Sequence, residues 1–267
     1  IGDELAEGSK RLSDKYGGKE FAIHSKGMEL AAYEPRRSVG LGLGYAVSNR
    51  GGCHLNGGYM VLIEGLSLNV NSQTPHGKPD FTVMFQDLME GVSSCGQCLF
   101  TTYAFFPPPL ISHPHSWYTR LFCKAVPVIG PVLRLLNKFP GMVCFNLPVI
   151  FNQSKALHLV TGMPVTFGSF FKAGKRGYTL ERHINSRFGI SRKDDSLPSR
   201  LTDVPQVEGD ESTKVPLERM KNVYYHARGW SDDGVPTPKT LRKLGLDKLE
   251  SYKVTCEEFK SSSGGAS

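Results

Sequence analysis

The chain has 267 residues, of which 39% are hydrophobic and 21% charged, and a formal net charge of +7. That length buries a sizeable core in one large domain or two modest ones, and its longest apolar run, from Ala125 to Leu136, is cut by Pro127 and Pro131 and is too short to span a bilayer. Lys and Arg are spread along the whole chain, so nucleic-acid binding is not expected, and six irregularly spaced cysteines point away from a secreted disulfide scaffold and toward a reducing, cytoplasmic setting.

Residues 1–16 lack an apolar run flanked by positive charge, so no secretory leader is expected there. Leu5, Leu12 and Tyr16 recur at helical spacing and predict one surface helix that stops at Gly17-Gly18. From Lys26 to Leu55 the glycines at 27, 40, 42, 44, 51 and 52 are too many for an undisturbed helix, since each costs about 1 kcal/mol relative to alanine in a helix interior. Irregular backbone suited to approaching a ligand is expected there instead. The strongest helix runs over 81–94, with Phe81, Met84, Phe85, Leu88, Val92 and Cys95 on one buried face. Gly96 then stands where a left-handed terminating residue belongs. The run Phe105-Phe-Pro-Pro-Pro109 predicts an extended or irregular stretch, a boundary or a lid.

Short helices are expected at 116–125, 131–138 and 150–160, followed by a turn at Thr161 to Pro164. A longer one is expected over 168–188, with Gly174 and Gly177 weakening its centre. Leu217, Met220, Val223 and Tyr224 mark another, with Pro216 at its first turn, and Thr237-Pro238 opens the last, with Leu241 and Leu244 inward and Gly245 as the stop. Ser261 to Gly265 reads as a flexible tail. No repeat and no strand–helix alternation is visible. The expected fold is mainly α: a helical domain over 1–110 with ligand-facing loops, a second over 111–250, and a flexible tail over 251–267.

Two loops carry chemistry. Ser93-Ser-Cys-Gly-Gln-Cys98 follows the strongest helix and places a thiol just beyond a glycine turn. The Cys95-x-x-Cys98 spacing is open to zinc, to an iron–sulfur cluster or to a dithiol, with a buried inert thiol as the plain alternative. Zinc wants four ligands, and only His113 and His115 lie near in sequence. A cubane cluster wants four thiolates, and Cys53, Cys123, Cys144 and Cys256 are each isolated. Redox dithiols open a helix, whereas here the helix comes first. If Cys98 holds a cluster, its companion ligands lie on other polypeptide. The second loop, Asn49-Arg-Gly-Gly-Cys-His54, ends in a histidine able to transfer a proton or bind a metal, against the commoner structural role. Asp194-Asp195 reads as a charge-compensated turn rather than a magnesium site. Tyr224, Tyr225 and Trp230 read as packing residues.

Taken in order, Lys26-Gly-Met-Glu-Leu30, Tyr33-Glu-Pro-Arg36, Gly44-Tyr-Ala46 with Asn49 to His54, the Ser93–Cys98 segment, Asn185 to Gly189, Arg192 to Pro198, and Tyr225 through Trp230 to Pro238 resemble the C-terminal portion of the tungsten-containing aldehyde ferredoxin oxidoreductase family. The resemblance spans roughly residues 1–246. It implies an irregular multi-helix fold, and a tungsten or molybdenum ion held by two pterins beside a 4Fe-4S cluster. The implied activity is oxidation of small aldehydes to carboxylates, with electrons passed to ferredoxin or another electron-transfer protein. Cys98 would be the last of four cluster thiolates. Ser93, Gly96, Gln97 and Leu99 would touch a pterin, and His54 would donate a proton at the metal centre, close to the substrate carbonyl. Ser93 stands where relatives carry an aspartate, Gln97 where they carry leucine, and Asn56 where they often have a basic residue contacting the cofactor. The family's N-terminal pterin-binding domain, its other cluster cysteines and its catalytic glutamate have no counterpart here, so the chain is expected to be inactive alone. An aromatic acyl-CoA reductase subunit of the same family and a non-catalytic helical association module are the alternatives, and a homo-oligomer is compatible with each.

Overall fold

A 17-residue helix, α4 (Lys78–Ser94), organises the chain. The computed structural model describes residues 1–66, 68, 70–101, 106–144 and 153–248. Around α4 pack α3 (Val39–Val47), α7 (Gly130–Lys138), α9 (Phe167–Arg187) and α11 (Leu217–Arg228). Because neighbours reach it from several directions, α4 is buried on most of its circumference and not on the single face that its periodicity predicts. Only its C-terminal end, from Ser93 onward, emerges into solvent.

The remaining α-helices among the described residues are α1 (Gly2–Leu5), α2 (Gly8–Tyr16), α5 (Pro108–Ser112), α6 (Trp117–Ala125), α8 (Gln153–Thr161), α10 (Ser199–Thr202) and α12 (Pro238–Leu244). The one sheet among the described residues is a two-stranded hairpin, β1 (His24–Ser25) with β2 (Met28–Glu29), paired antiparallel. The mainly helical expectation holds. Most helix ends fall within a residue or so of their expected places: Ser116 and Thr237 accept the amide hydrogens of Thr119 and Thr240 as N-caps, and Gly245 terminates α12 in the left-handed region. The expected start of α8 at 150 and the tail over 251–267 lie outside the described residues.

Three expectations need correction. The first segment forms two helices, α1 and α2, with Ala6 and Glu7 between them. Pro108 and Pro109 lie inside α5 rather than in an extended stretch, because a proline in the first helical turn surrenders no hydrogen bond. Most informatively, the glycine-rich stretch contains α3, a fully buried helix. Its glycines cost helix propensity, but a Cβ at Gly42 would press on Val215 at 3.0 Å and Pro35 at 3.2 Å. Close packing offsets what the backbone loses.

The main hydrophobic cluster draws on residues from Val39 to Trp230, on both sides of position 110. Ionic groups are buried with it, each held by several partners. Glu64 accepts the amides of Gly40 (3.0 Å) and Leu41 (3.2 Å) at the start of α3, together with the Ser38 hydroxyl and the Lys78 ammonium. Arg228 of α11 donates to Asp87 and Gln86 of α4 and lies 4.3 Å from the Tyr178 ring centroid. Asp195, fully buried, takes a bidentate pair from Arg182 (2.9 and 2.7 Å), the Lys26 ammonium (2.8 Å) and the Tyr225 hydroxyl (2.6 Å). The charge compensation expected at this turn is therefore internal to the core. Burial by itself pushes the Asp195 carboxyl up, but Lys26 and Arg182 outweigh it and leave the group below the usual carboxylate range. Tyr224, Tyr225 and Trp230 pack against one another as expected, with ring centroids 5.8 to 6.3 Å apart.

Candidate functional site

The His54 loop leaves α3 and is clasped from two sides. Gly44 of α3 and Gly57 after the loop face each other backbone to backbone: a Cβ on Gly57 would come to 2.9 Å of the Gly44 carbonyl carbon and 2.8 Å of the Cys53 oxygen. No side chain larger than hydrogen fits at this crossing. From the other side, Asn49 donates to the Tyr178 carbonyl (3.0 Å) and the Glu181 carboxylate (3.1 Å), and Asn185 donates to the Asn49 carbonyl (2.9 Å). Asn56 is buried, and its side-chain oxygen accepts from the Ser48 hydroxyl (2.8 Å) and the Asn49 amide (3.0 Å). Its side-chain oxygen therefore serves the loop itself, while its amide nitrogen lies 3.5 Å from the Glu181 carboxylate.

These clasps present His54 half-buried between two tyrosines, its ring 5.7 Å from Tyr33 and 5.6 Å from Tyr59 between centroids. The two phenol oxygens are 3.4 Å apart. Tyr59 holds a left-handed backbone, φ 48°, which is uncommon for an aromatic residue and aims its ring at His54. Burial pushes the imidazole below the ordinary histidine range and favours the neutral form.

At the end of α4 the chain turns as expected. Gly96 has φ 69°, its amide donates to Ser93, and the Gln97 amide donates back to the Val92 carbonyl at 3.2 Å. This is the paired 6→1 and 5→2 closure of a left-handed helix stop. A Cβ on Gly96 would meet nothing within 4 Å, and Ser93, Ser94, Cys95, Gln97 and Cys98 are all exposed. Leu99 folds back against the main cluster and anchors the turn. Cys98 thus offers its thiol on an open edge. Among the described residues no three His, Cys, Asp or Glu side chains converge to hold a metal ion. His113 and His115 are exposed and do not complete a site with it.

A polar seam connects the two loops. Asn49 and Asn56 reach Glu181, Glu181 faces Glu90, and Glu90 accepts from the Ser94 hydroxyl at 3.4 Å, next to Ser93. Burial raises the Glu90 carboxyl, Glu181 raises it further, and Arg50 of the His54 loop opposes both. Neither Glu90 nor Glu181 is marked by any motif. Both look in sequence like solvated members of helix faces, and only the α4–α9 crossing brings them together.

Against known proteins, the sequence profile described as aldehyde ferredoxin oxidoreductase, domains 2 and 3, matches residues 1–246. The chain is similar to the tungsten-containing aldehyde ferredoxin oxidoreductases of Pyrococcus furiosus (32% identical over 252 residues, 92% of this chain and 34% of that protein), Pyrococcus horikoshii (31%, 93% and 35%) and Thermococcus kodakarensis (31%, 92% and 34%). The chain belongs to the aldehyde ferredoxin oxidoreductase family, and it spans only about a third of the length of these relatives.

Proposed function

We propose that this family member forms the C-terminal part of a tungsten or molybdenum pterin oxidoreductase that converts small aldehydes to carboxylates, and that it works only with the family's pterin-binding portion. The observation that carries this reading is the open turn from Ser93 to Cys98. An exposed thiol stands there on a rigid helix stop, and nothing among the described residues completes a metal site around it. One thiolate is a quarter of what a cubane cluster takes. The residues therefore fit one edge of such a group, with Cys98 as the cluster ligand and the Ser93, Gly96, Gln97 and Leu99 turn beside a pterin.

When bound, the bis-pterin metal and its 4Fe-4S cluster supply a sink for the aldehyde's electron pair and a path onward to ferredoxin. The chain's own contribution is proton management and positioning. Burial favours the neutral form of His54, which suits accepting a proton at its imidazole nitrogen as water and aldehyde become carboxylate, rather than the donation that the family resemblance implies. Tyr33 and Tyr59 fix its plane. Ser93 offers a neutral hydroxyl in place of the carboxylate expected at its position, which gives a weaker hold on pterin amines. Asn56 holds the His54 loop. The division into domains at 110 belongs to this reading.

Co-expression with the pterin-binding portion under anaerobic conditions, followed by elemental analysis, tests the proposal. Tungsten or molybdenum and about four irons per pair are expected. Cys98→Ser should lose the iron, while His54→Ala should keep both metals and lose turnover. Wild-type turnover in His54→Ala removes that residue from the reaction. A properly paired complex without either metal is the result expected of a non-catalytic association module, and it overturns the assignment.

A further inference from the structure

Lys and Arg are scattered along this chain, but the carboxylates are not: between Glu90 and Glu181 there is no aspartate or glutamate. The same segment supplies much of the large apolar surface left open to solvent. Helix α6 turns Thr119 and Cys123 to the core and points Trp117, Arg120, Leu121 and Lys124 outward, at the i, i+3, i+4, i+7 spacing of one helix face. Trp117 is 76% exposed and Leu121 60%. The following helix, α7, buries Leu133 and Asn137 and shows Val132, Leu135 and Lys138 to solvent. Beside α6 lies a hollow of about 320 Å³ lined by His115, Arg120, Lys124, Cys123, Pro114, Pro127 and Asn71, with no acidic wall.

We infer that the outward face of α6 is a peripheral docking surface for an anionic lipid membrane, with the Arg120–Lys124 hollow receiving a headgroup phosphate. Helices that bind at a bilayer surface combine cations with Trp and Leu on adjoining faces, and tryptophan settles at the headgroup level. No helix among the described residues is long and apolar enough to cross a membrane, so attachment is lateral. Charge complementarity selects the occupant: the hollow offers His, Arg and Lys, and the apolar side chains stand next to it rather than in a separate patch. The inference is independent of the redox reading, since no residue of this face belongs to the proposed metal edge.

Sedimentation of the 267-residue chain with vesicles tests it. The chain should pellet with phosphatidylglycerol–phosphatidylcholine vesicles and stay in the supernatant with phosphatidylcholine alone. High salt should release it, because the attraction falls off within a Debye length. Arg120→Gln and Lys124→Gln should each weaken binding about fivefold, and Leu121→Ser should weaken it without touching charge. All three residues are exposed, and circular dichroism confirms that each variant is folded. Trp117 emission should shift to the blue and lose acrylamide quenching on binding, and Trp117→Phe should abolish that signal, since Trp230 is buried. Equal binding to neutral vesicles, no binding at low salt, or unchanged binding in the double Arg120→Gln, Lys124→Gln variant overturns the inference. Retention on immobilised polyglutamate without vesicle binding assigns the face to an acidic protein instead. Loss of vesicle binding when the pterin-binding portion is present assigns it to that interface.

Discussion

Replacing Gly174 with alanine tests the tightest glycine contact among the described residues. In an isolated helix this change stabilises by about 1 kcal/mol. Here the added Cβ would overlap the Asp87 carbonyl oxygen of α4 and lie 2.9 Å from the Gly91 nitrogen, whereas real Cβ atoms essentially never approach within 3.0 Å. Both obstacles are main-chain atoms of a buried helix, so relief requires α4 and α9 to separate. Overpacking of this kind costs about 3 kcal/mol at the upper end of its usual range, which leaves a net loss of about 2 kcal/mol after the propensity gain. Gly177 is the internal control, because its Cβ would meet only the Glu90 side chain, at 2.7 Å from Oε1, and that carboxylate can swing aside. Gly177→Ala should therefore keep most of the propensity gain and be more stable than wild type by up to about 1 kcal/mol. Urea denaturation read by far-UV circular dichroism gives both values. A Gly174→Ala protein as stable as wild type, or more so, refutes the main-chain contact between α4 and α9.

Asp195→Asn should cost about 3–5 kcal/mol, because it strands the buried cations of Arg182 and Lys26. The Asp195 carboxyl lies below its ordinary range in the native state, so its contribution is fully present above about pH 4 and fades as pH falls toward the depressed native value. Melting temperature followed from pH 5 to 2 should drop steeply in wild type and less steeply in the variant. Gly96→Ala should lose about 1 kcal/mol, the cost of forcing a side chain into the left-handed region with no clash to add to it, while Gly96→Asn should lose less; thermal denaturation of the pair checks this. The His54 ring protons should titrate by NMR below the ordinary histidine value of about 6.5, since burial opposes the charge. The native state then binds that proton more weakly than the unfolded chain, so this group makes stability fall as pH drops through the ordinary histidine range.

The sequence disclosed what is local. Gly96, Thr237 and Gly245 act within a few residues of themselves, and the structure finds each in its expected role, while Ser116, expected only as a helix start, caps α6. Helix α3 was hidden because glycine propensity reports the cost of Gly40, Gly42 and Gly44 and is blind to Val215, Pro35 and Gly57, which approach from distant parts of the chain. Lys26 and Asp195 look unrelated across their separation, yet they close one ion pair. At the candidate site the glycine-loosened loops single out His54 and Cys98 in the sequence, and the structure leaves the first half-buried and the second exposed. The Tyr33 and Tyr59 rings and the Glu90–Glu181 seam were not legible there, because their meaning arises from which helices cross.

The meeting of Gly44 with Gly57 has a consequence for how this protein can change over generations. One side of the loop that carries His54 is set by main chain resting on main chain, while the side chains of Asn49, Asn56 and Asn185 hold the other. Descendants can therefore exchange many core side chains more freely than these two glycines, since any side chain at either would force α3 and the loop apart.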